Sequence, residues 1–185
     1  TTSGTQTYSG AVTLGANAIL TTTDSDVTFS TTIGGVGQGL TIAAGTGDVV
    51  IVGQVGASGS EVGAIVITSA GNVAGNAGAT ADAGSIYAAS LTQSAGSGTT
   101  RLGVVEVTGA VALTTGTVDV NAGVVAPGGF SSTGTGTFDN AGLIGTTNTA
   151  VTINHGGAVT INAGIDSGDA GAGGAIDITG SSLTV

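Results

Sequence analysis

The chain has 185 residues and a formal net charge of −10 at pH 7, because eleven Asp and Glu residues face a single Arg and no Lys. Nucleic-acid binding needs basic side chains that neutralise phosphates, so the composition excludes a nucleic-acid partner and disfavours anionic membrane surfaces. No apolar run approaches the roughly 20 residues that span a bilayer, so no transmembrane segment is predicted. The chain also lacks Cys, which removes disulfides and thiolate metal sites.

Glycine and small β-branched residues dominate the composition. The chain contains 37 Gly, which interrupt nearly every stretch long enough to form a helix, and no helical periodicity is sustained. Hydrophobic residues make up 40% of the chain, which argues against disorder, while aromatic residues make up only 3%. This combination suits a thin core, one or two side chains wide, filled by Val, Ile, Leu and Ala.

Short stretches that alternate apolar and polar residues follow one another along the whole chain, which is the pattern of half-buried strands. Gly, Asn, Ala, Ser and Thr fill the joints between them, and Gly and Asn suit sharp corners. The predicted strands lie at 11–14, 26–29, 39–42, 48–52, 64–68, 85–88, 104–107, 110–113, 117–120, 150–153, 158–161 and 175–178.

One cassette occurs twice. Residues 111–113, 118–120 and 121–124 (VAL, VDV, NAGV) return at 151–153, 159–161 and 162–165 (VTI, VTI, NAGI), an offset of 40 residues at the start and 41 at the end. A fixed period of this kind predicts a repeat architecture. Leu40, Ile65, Ile86 and Val105 begin comparable strands at gaps of 25, 21 and 19, so each cassette is interpreted as two coils of about 20 residues.

These spacings predict a right-handed parallel β-solenoid of about nine coils with 20 residues each. The alternative is an antiparallel β-sandwich, although the chain lacks the Asn-Gly and Asp-Gly turns that favour hairpins. Residues 1–185 are expected to form a single solenoid segment with loop excursions near 70–84 and 126–137. The first residues show no leader, so either a leader was removed or the sequence is a piece of a longer polypeptide. We expect the second, because the repeats run to the last residues.

The chain resembles the repeat regions of large bacterial β-strand-repeat surface proteins, of the filamentous-haemagglutinin and autotransporter-passenger type. The resemblance is carried by residues 6–17 (QTYSGAVTLGAN), the GLTI stretch at 39–42, and the VTIN and NAG units at 151–154, 159–164 and 121–123. It implies a right-handed β-solenoid, secretion across a Gram-negative outer membrane, and an adhesive, matrix or filament role. It supplies no catalytic motif.

Two tight acidic turns are the best candidates for metal binding. Asp24 and Asp26 form one, and Asp166 and Asp169 form the other. Calcium prefers six to eight oxygen ligands, of which such a turn can supply a part. Calcium is therefore the one cofactor considered, although neither the EF-hand nor the β-roll spacing is present.

Other reactive side chains are interpreted as structural. His155 precedes two Gly residues, which predicts a solvated turn between strands, and Arg101 is expected to form an ion pair with a nearby carboxylate such as Glu106. Carbohydrate cleavage needs paired acids together with basic or aromatic residues that hold the sugar, and this chain has neither Lys nor Trp. We predict no enzyme and no catalytic residue, although four carboxylates were considered for such a role: Asp119, Asp139, Asp166 and Asp177.

The sequence therefore favours a structural extracellular protein, a segment or subunit of a bacterial surface fibre, sheath or filament. Its expected partners are identical or neighbouring repeats that stack through coil ends or edges. The alternative is an adhesin module that binds polysaccharide or a host surface through the two loop excursions.

Overall fold

The computed structural model describes residues 1–168 and 173–185, and every regular element in this part of the chain is a β-strand. No helix in these residues is long and apolar enough to cross a membrane. The strands are β1 (Gln6–Tyr8), β2 (Val12–Thr13), β3 (Ala18–Thr21), β4 (Val27–Phe29), β5 (Ile33–Gly34), β6 (Leu40–Ala43), β7 (Val49–Ile51), β8 (Val62–Ser69), β9 (Val73–Ala74), β10 (Ile86–Gln93), β11 (Thr99–Leu102), β12 (Val105–Val107), β13 (Val111–Thr114), β14 (Thr117–Val120), β15 (Val124–Val125), β16 (Phe130–Gly134), β17 (Phe138–Asn140), β18 (Ile144–Gly145), β19 (Val151–His155), β20 (Ala158–Ile161), β21 (Ile165–Asp166), β22 (Ile176–Thr179) and β23 (Ser182–Thr184).

The strands wind into a parallel β-solenoid of about eight turns, with about 21 residues per coil. Each strand pairs with strands one coil before or after it, on both sides except at the ends of the sheets, and never with its neighbour in sequence. This confirms the predicted solenoid and rules out the sandwich, whose sheets would be antiparallel. The coil length is close to the predicted 20, and the number of turns is slightly below the predicted nine coils.

Each coil presents three faces, which we name A, B and C. Face A consists of β1, β4, β7, β9, β11, β14, β17, β20 and β23. Face B consists of β2, β5, the start of β10, β12, β15, β18 and β21. Face C consists of β3, β6, the end of β8, the end of β10, β13, β16, β19 and β22.

The core is a column of side chains that point inward from all three faces. On face A, Val27, Val49 and Val73 lie in register and are all buried. On face C, Leu40 and Ile65 do the same. Burying one such side chain stabilises the fold by about 1.5–3 kcal/mol. Because the inward ladder is renewed in every coil, the same core continues along the stack.

The 40-residue repeat period covers two coils, as predicted. Val111 pairs with Phe130, and Phe130 pairs with Val151, so one complete coil separates the two copies. The intermediate coil has the same strand pairing but different side chains. For example, Phe138 stands where the two copies have Val, at positions 118 and 159.

Two details of the sequence interpretation were wrong. Ile65 and Ile86 are not equivalent: Ile65 pairs with Leu91 on face C, whereas Ile86 pairs with Val105 on face B. The expected excursion at 126–137 contains strand β16, which pairs on both sides, so the chain leaves the faces only at the turns around it. By contrast, residues 75–85 lengthen their coil, since the register partners Val73 and Thr100 are 27 residues apart.

Candidate functional site

The oxygens of Asp24 and Asp26 are engaged by the backbone of the next coil. The amide of Thr46 donates to Asp24 Oδ1 at 2.9 Å, and the amide of Asp48 donates to Asp26 Oδ1 at 2.8 Å. Asp24 adopts a φ of 50°, in the left-handed region that Asp tolerates at turns. Both carboxylates therefore act as caps that fasten the corner of one coil to the next.

This capping arrangement continues along the stack. Asp48 Oδ1 accepts a hydrogen bond from the amide of Asn72 at 2.8 Å, and Asn72 Oδ1 accepts one from the amide of Thr99 at 2.8 Å. Asp26, Asp48 and Asn72 thus form a ladder in which each side chain satisfies a backbone donor one coil farther on. Buried or half-buried amides need such partners, so the ladder explains why acidic and amide residues stand at this corner.

The second proposed metal turn lies elsewhere. Asp166 is at the end of face B, and its Oδ1 accepts a hydrogen bond from the amide of Gly168 at 3.0 Å. Asp169 lies outside the described residues. Across residues 1–168 and 173–185, no three His, Asp or Glu side chains come close enough to hold a metal ion.

His155 is buried, which corrects the predicted solvated turn. It is the last residue of β19, where Val151, Ile153 and His155 all point inward, and it is only 2% exposed. Its Nε2 lies 2.8 Å from Ser132 Oγ, and its ring centroid lies 5.5 Å from that of Phe138. Burial lowers the pKa of His155 below its ordinary value, and the backbone of Gly136 partly opposes this effect. The imidazole is therefore neutral inside the core at neutral pH.

The contact between Ser132 and His155 lacks what a nucleophilic site needs. A working Ser–His pair has an accessible hydroxyl and a third group that orients the imidazole. Ser132 is 0% exposed, so its hydroxyl is closed to any substrate. The pair is best explained as an internal polar link between coils.

Arg101 lies at the centre of an ion-pair network on face A. Its Nη1 is 2.6 Å from Asp119 Oδ2, and its Nε is 3.3 Å from Asp82 Oδ1. Asn121 Nδ2 also donates to Asp82 Oδ1 at 2.7 Å. Glu106 lies on face B, so the suggested partner was wrong. Arg101 therefore links two coils and holds the 75–85 loop, which contains Asp82.

Asp119 is partly desolvated in this network. Burial raises its pKa above the ordinary value, the charge of Arg101 lowers it, and the neighbouring carboxylates of Asp139 and Asp82 raise it again. Asp119 and Asp139 are register partners in adjacent coils, which explains their mutual repulsion. Asp139 is stabilised by Asn162, whose Nδ2 donates to its Oδ1 at 2.9 Å.

The four carboxylates considered for sugar chemistry do not converge on one cleft. Asp119 and Asp139 lie on face A, Asp166 on face B and Asp177 on face C. The first two are also engaged by the polar neighbours described above. Asp119 and Asp139 are therefore neighbours in adjacent coils, whereas the other two carboxylates lie on different faces.

A shallow groove follows the corner between faces C and A. It has a volume of about 430 Å³, and a second depression of about 260 Å³ adjoins it at Gly96 and Ser97. The lining of the larger part consists of Gly96, Ser97, Thr114, Thr115, Gly116, Thr133, Gly134 and Thr135. No charged or aromatic side chain contributes to either depression.

Sequence reasoning missed the buried polar groups of the core. Gln93, Ser132 and Asn140 each occupy an inward strand position and are at most 1% exposed. Thr100 Oγ1 donates to Gln93 Oε1 at 2.6 Å, which satisfies one of these groups. The alternation of each strand carried the necessary signal, because Ser132 stands two residues after the inward Phe130.

Comparison with known proteins gives no relative from which a role could be carried over: no family model, no curated protein and no solved structure matches this chain.

Proposed function

We propose that the chain is a rod-forming segment or subunit of an extracellular bacterial surface fibre, sheath or stalk. The continuous core through every coil is the observation that carries this proposal, because a stack stabilised by neighbouring coils can extend without a central globule. The strong acidic charge supports it as well, since Asp and Glu keep a β-rich surface soluble. The resemblance to bacterial β-strand-repeat proteins points to the same role and to a Gram-negative cell surface.

The two ends of the stack differ in a way that fits directional stacking. At the first coil, Tyr8 stacks on Phe29 with ring centroids 5.0 Å apart, and its hydroxyl donates to Gln6 Oε1 at 3.0 Å. Gln6 Nε2 in turn donates to the carbonyl of Thr21 at 3.0 Å. Polar and aromatic side chains thus cover the core at this end.

At the other end, core positions are open. Ile176 is 47% exposed and Leu183 is 54% exposed, whereas their register partners Val151 and Val159 are fully buried. A further coil with the same inward ladder would bury both side chains and would pair with the free edges of β22 and β23. We propose that such a coil, supplied by a neighbouring repeat or copy, covers this end.

Electron microscopy of the purified chain after negative staining tests this function. We expect rods that lengthen with protein concentration, and a Leu183→Asp variant that remains short because a charge at the open end opposes stacking. Thr184→Asp is the matched control, since Thr184 is on the outward side of the same strand. Dispersed particles of constant length at high concentration would contradict the proposal.

The groove between faces C and A favours a second role, an adhesin module that binds a neutral polysaccharide. Its lining of Thr and Ser hydroxyls and backbone can form hydrogen bonds with sugar hydroxyls. Calorimetric titration with neutral oligosaccharides tests this role. We expect binding that Thr133→Val weakens and that Thr160→Val, on face A, leaves unchanged. Absence of heat with every neutral saccharide would count against an adhesin.

A further inference from the structure

The outward surface of face C carries no charge over seven successive coils. Its central row is formed by register partners, each one coil from the next. This row consists of Ile19, Thr41, Val66, Thr92, Ala112, Ser131 and Thr152. The positions two residues farther along are Thr21, Ala43, Thr68, Ser94, Thr114, Thr133 and Asn154.

The charged side chains of the described residues lie elsewhere. Asp119, Asp139 and Arg101 are on face A, and Glu106 and Asp166 are on face B. Turns and loops hold four more, Asp24, Asp26, Asp48 and Glu61, and Asp82 lies in the 75–85 loop. Asp177, in β22, is the single described charge at an outward position of face C.

We propose that face C is the contact surface between two copies of this chain, which pack laterally, sheet against sheet. Copies that each carry a charge of −10 repel one another, and face C is the side on which they can approach without opposing carboxylates. Depletion of charge is also the compositional mark of an interface core. This inference does not depend on the end-to-end stacking proposed above.

The shape and chemistry of face C suit a second copy. Its outward side chains are aliphatic or bear a hydroxyl or an amide, and none is aromatic. Two such sheets can approach to about 10 Å, the usual spacing of packed sheets. A hydroxyl both donates and accepts, so Thr and Ser of one copy can pair with those of the other. The strand spacing is the same in both copies, so the ridges of the two faces match.

The area of face C is sufficient for a weak dimer. Seven strands spaced about 4.8 Å apart, each contributing about five residues of roughly 3.3 Å, give about 500 Å² per copy. Two copies then bury about 1,000 Å², the lower limit for a specific interface. We therefore expect a dissociation constant in roughly the micromolar range.

The position of Asp177 selects the relative orientation of the copies. In a parallel pair, the two Asp177 carboxylates would face each other at one end. In an antiparallel pair, each Asp177 lies opposite the first coil of its partner, where Ile19 stands on the same row and no carboxylate opposes it. We expect the antiparallel arrangement, because like charges across an interface are costly.

Sedimentation equilibrium over a range of protein concentrations tests the interface. Ala112→Asp places a charge at the centre of face C, and Thr28→Asp places one on the outward side of face A. With Leu183→Asp present in every chain to remove end-to-end stacking, we expect the otherwise wild-type protein and Thr28→Asp to dimerise alike, and Ala112→Asp to raise the dissociation constant by about tenfold or more. Added NaCl should tighten the wild-type dimer by screening repulsion between the copies.

Leu183→Asp separates this interface from end-to-end stacking. It should abolish longer rods and leave lateral dimers intact, so each proposal can fail while the other stands. Thermal unfolding followed by circular dichroism checks that every variant is folded. A Leu183→Asp protein that stays monomeric at all concentrations, or a folded Ala112→Asp in the same background that dimerises as tightly as its parent, would overturn the inference. Monomers that instead bind a polysaccharide through face C would also overturn it.

Discussion

Nε2 of His155 lies 2.8 Å from Oγ of Ser132, and this hydrogen bond joins two adjacent coils inside the core. Ser132 is 0% exposed and His155 is 2% exposed, so water cannot replace either partner. The contact is therefore a structural link whose loss should be measurable as stability.

Ser132→Ala should destabilise the protein by about 1–3 kcal/mol, because it leaves a buried imidazole nitrogen without a partner. Ser131→Ala is the matched control: it removes the same hydroxyl from the outward side of β16 and should change the free energy of unfolding by less than about 0.5 kcal/mol. Urea denaturation at pH 7.5 measures both. Equal effects of the two substitutions would show that the buried hydrogen bond contributes nothing.

Acid should weaken the fold through His155. Burial lowers the pKa of this residue in the folded chain, while in the unfolded chain it titrates near its ordinary value of 6.5. Below about pH 6.5 unfolding therefore takes up a proton, so the free energy of unfolding falls as the pH decreases toward the folded-state pKa. Above pH 7 both states are neutral and the effect disappears.

Urea denaturation at pH 7.5 and pH 5.5 tests this pH dependence. His155→Gln should reduce the difference between the two pH values, since Gln does not titrate. Asp119 acts in the opposite direction and nearer to pH 4, because its raised pKa makes the folded chain bind a proton more readily than the unfolded one. An equal pH dependence in His155→Gln and in the wild type would refute the assignment.

Removal of the Arg101 charge should loosen the 75–85 loop. Arg101→Gln breaks the contacts to Asp119 and Asp82, and it raises the pKa of Asp119 further by removing the charge that lowers it. The contacts are partly exposed, so the loss of stability should be about 1 kcal/mol or less and should shrink in high salt. Hydrogen exchange should increase within the loop.

Glu106→Gln provides the control for this change, because it removes a charge from face B that makes no ion pair with Arg101. We expect no change in hydrogen exchange within the 75–85 loop. A double-mutant cycle between Arg101→Gln and Asp119→Asn should give a coupling free energy well below that of a buried ion pair. A coupling that is unaffected by salt would contradict a solvent-screened contact.

Close stacking of coils makes Gly142 intolerant of a side chain. A Cβ at this position would lie 2.1 Å from the carbonyl carbon of Ala122 in the preceding coil. Gly142→Ala should therefore destabilise the protein by about 1–3 kcal/mol, as overpacking does elsewhere. Gly15→Ala is the control, since a Cβ there meets nothing within 4 Å. Thermal unfolding of both variants measures the difference.

The repeat and its strands could be read from the sequence because their signal is periodic. The return of VAL and VDV as VTI and VTI placed four strands correctly and gave two coils per 40-residue period. The coil between the copies escaped recognition because Phe130, Ser132 and Phe138 differ in size and polarity from the Val and Leu at equivalent positions. They share only their inward direction, and that direction becomes visible when the register is known.

For the acidic residues too, the sequence predicted the local turn but not the hydrogen-bond partners. The sequence placed Asp24 and Asp26 in a tight turn, and carboxylates in a turn suggested calcium ligands. In the folded chain their oxygens accept hydrogen bonds from Thr46 and Asp48, which are 22 residues away. A contact at that distance in sequence depends on the exact length of the coil, which varies along this chain.

Composition and local alternation by themselves determined that this protein is a stack of short strands with a thin aliphatic core, because both follow from the size and period of neighbouring side chains. The tertiary structure decided which face each strand joins, and with it the burial of His155, the partners of Arg101 and the uncharged surface of face C. Those properties depend on which residues lie one coil apart. Insertions between strands set that distance, and a single sequence does not reveal how the chain absorbs them.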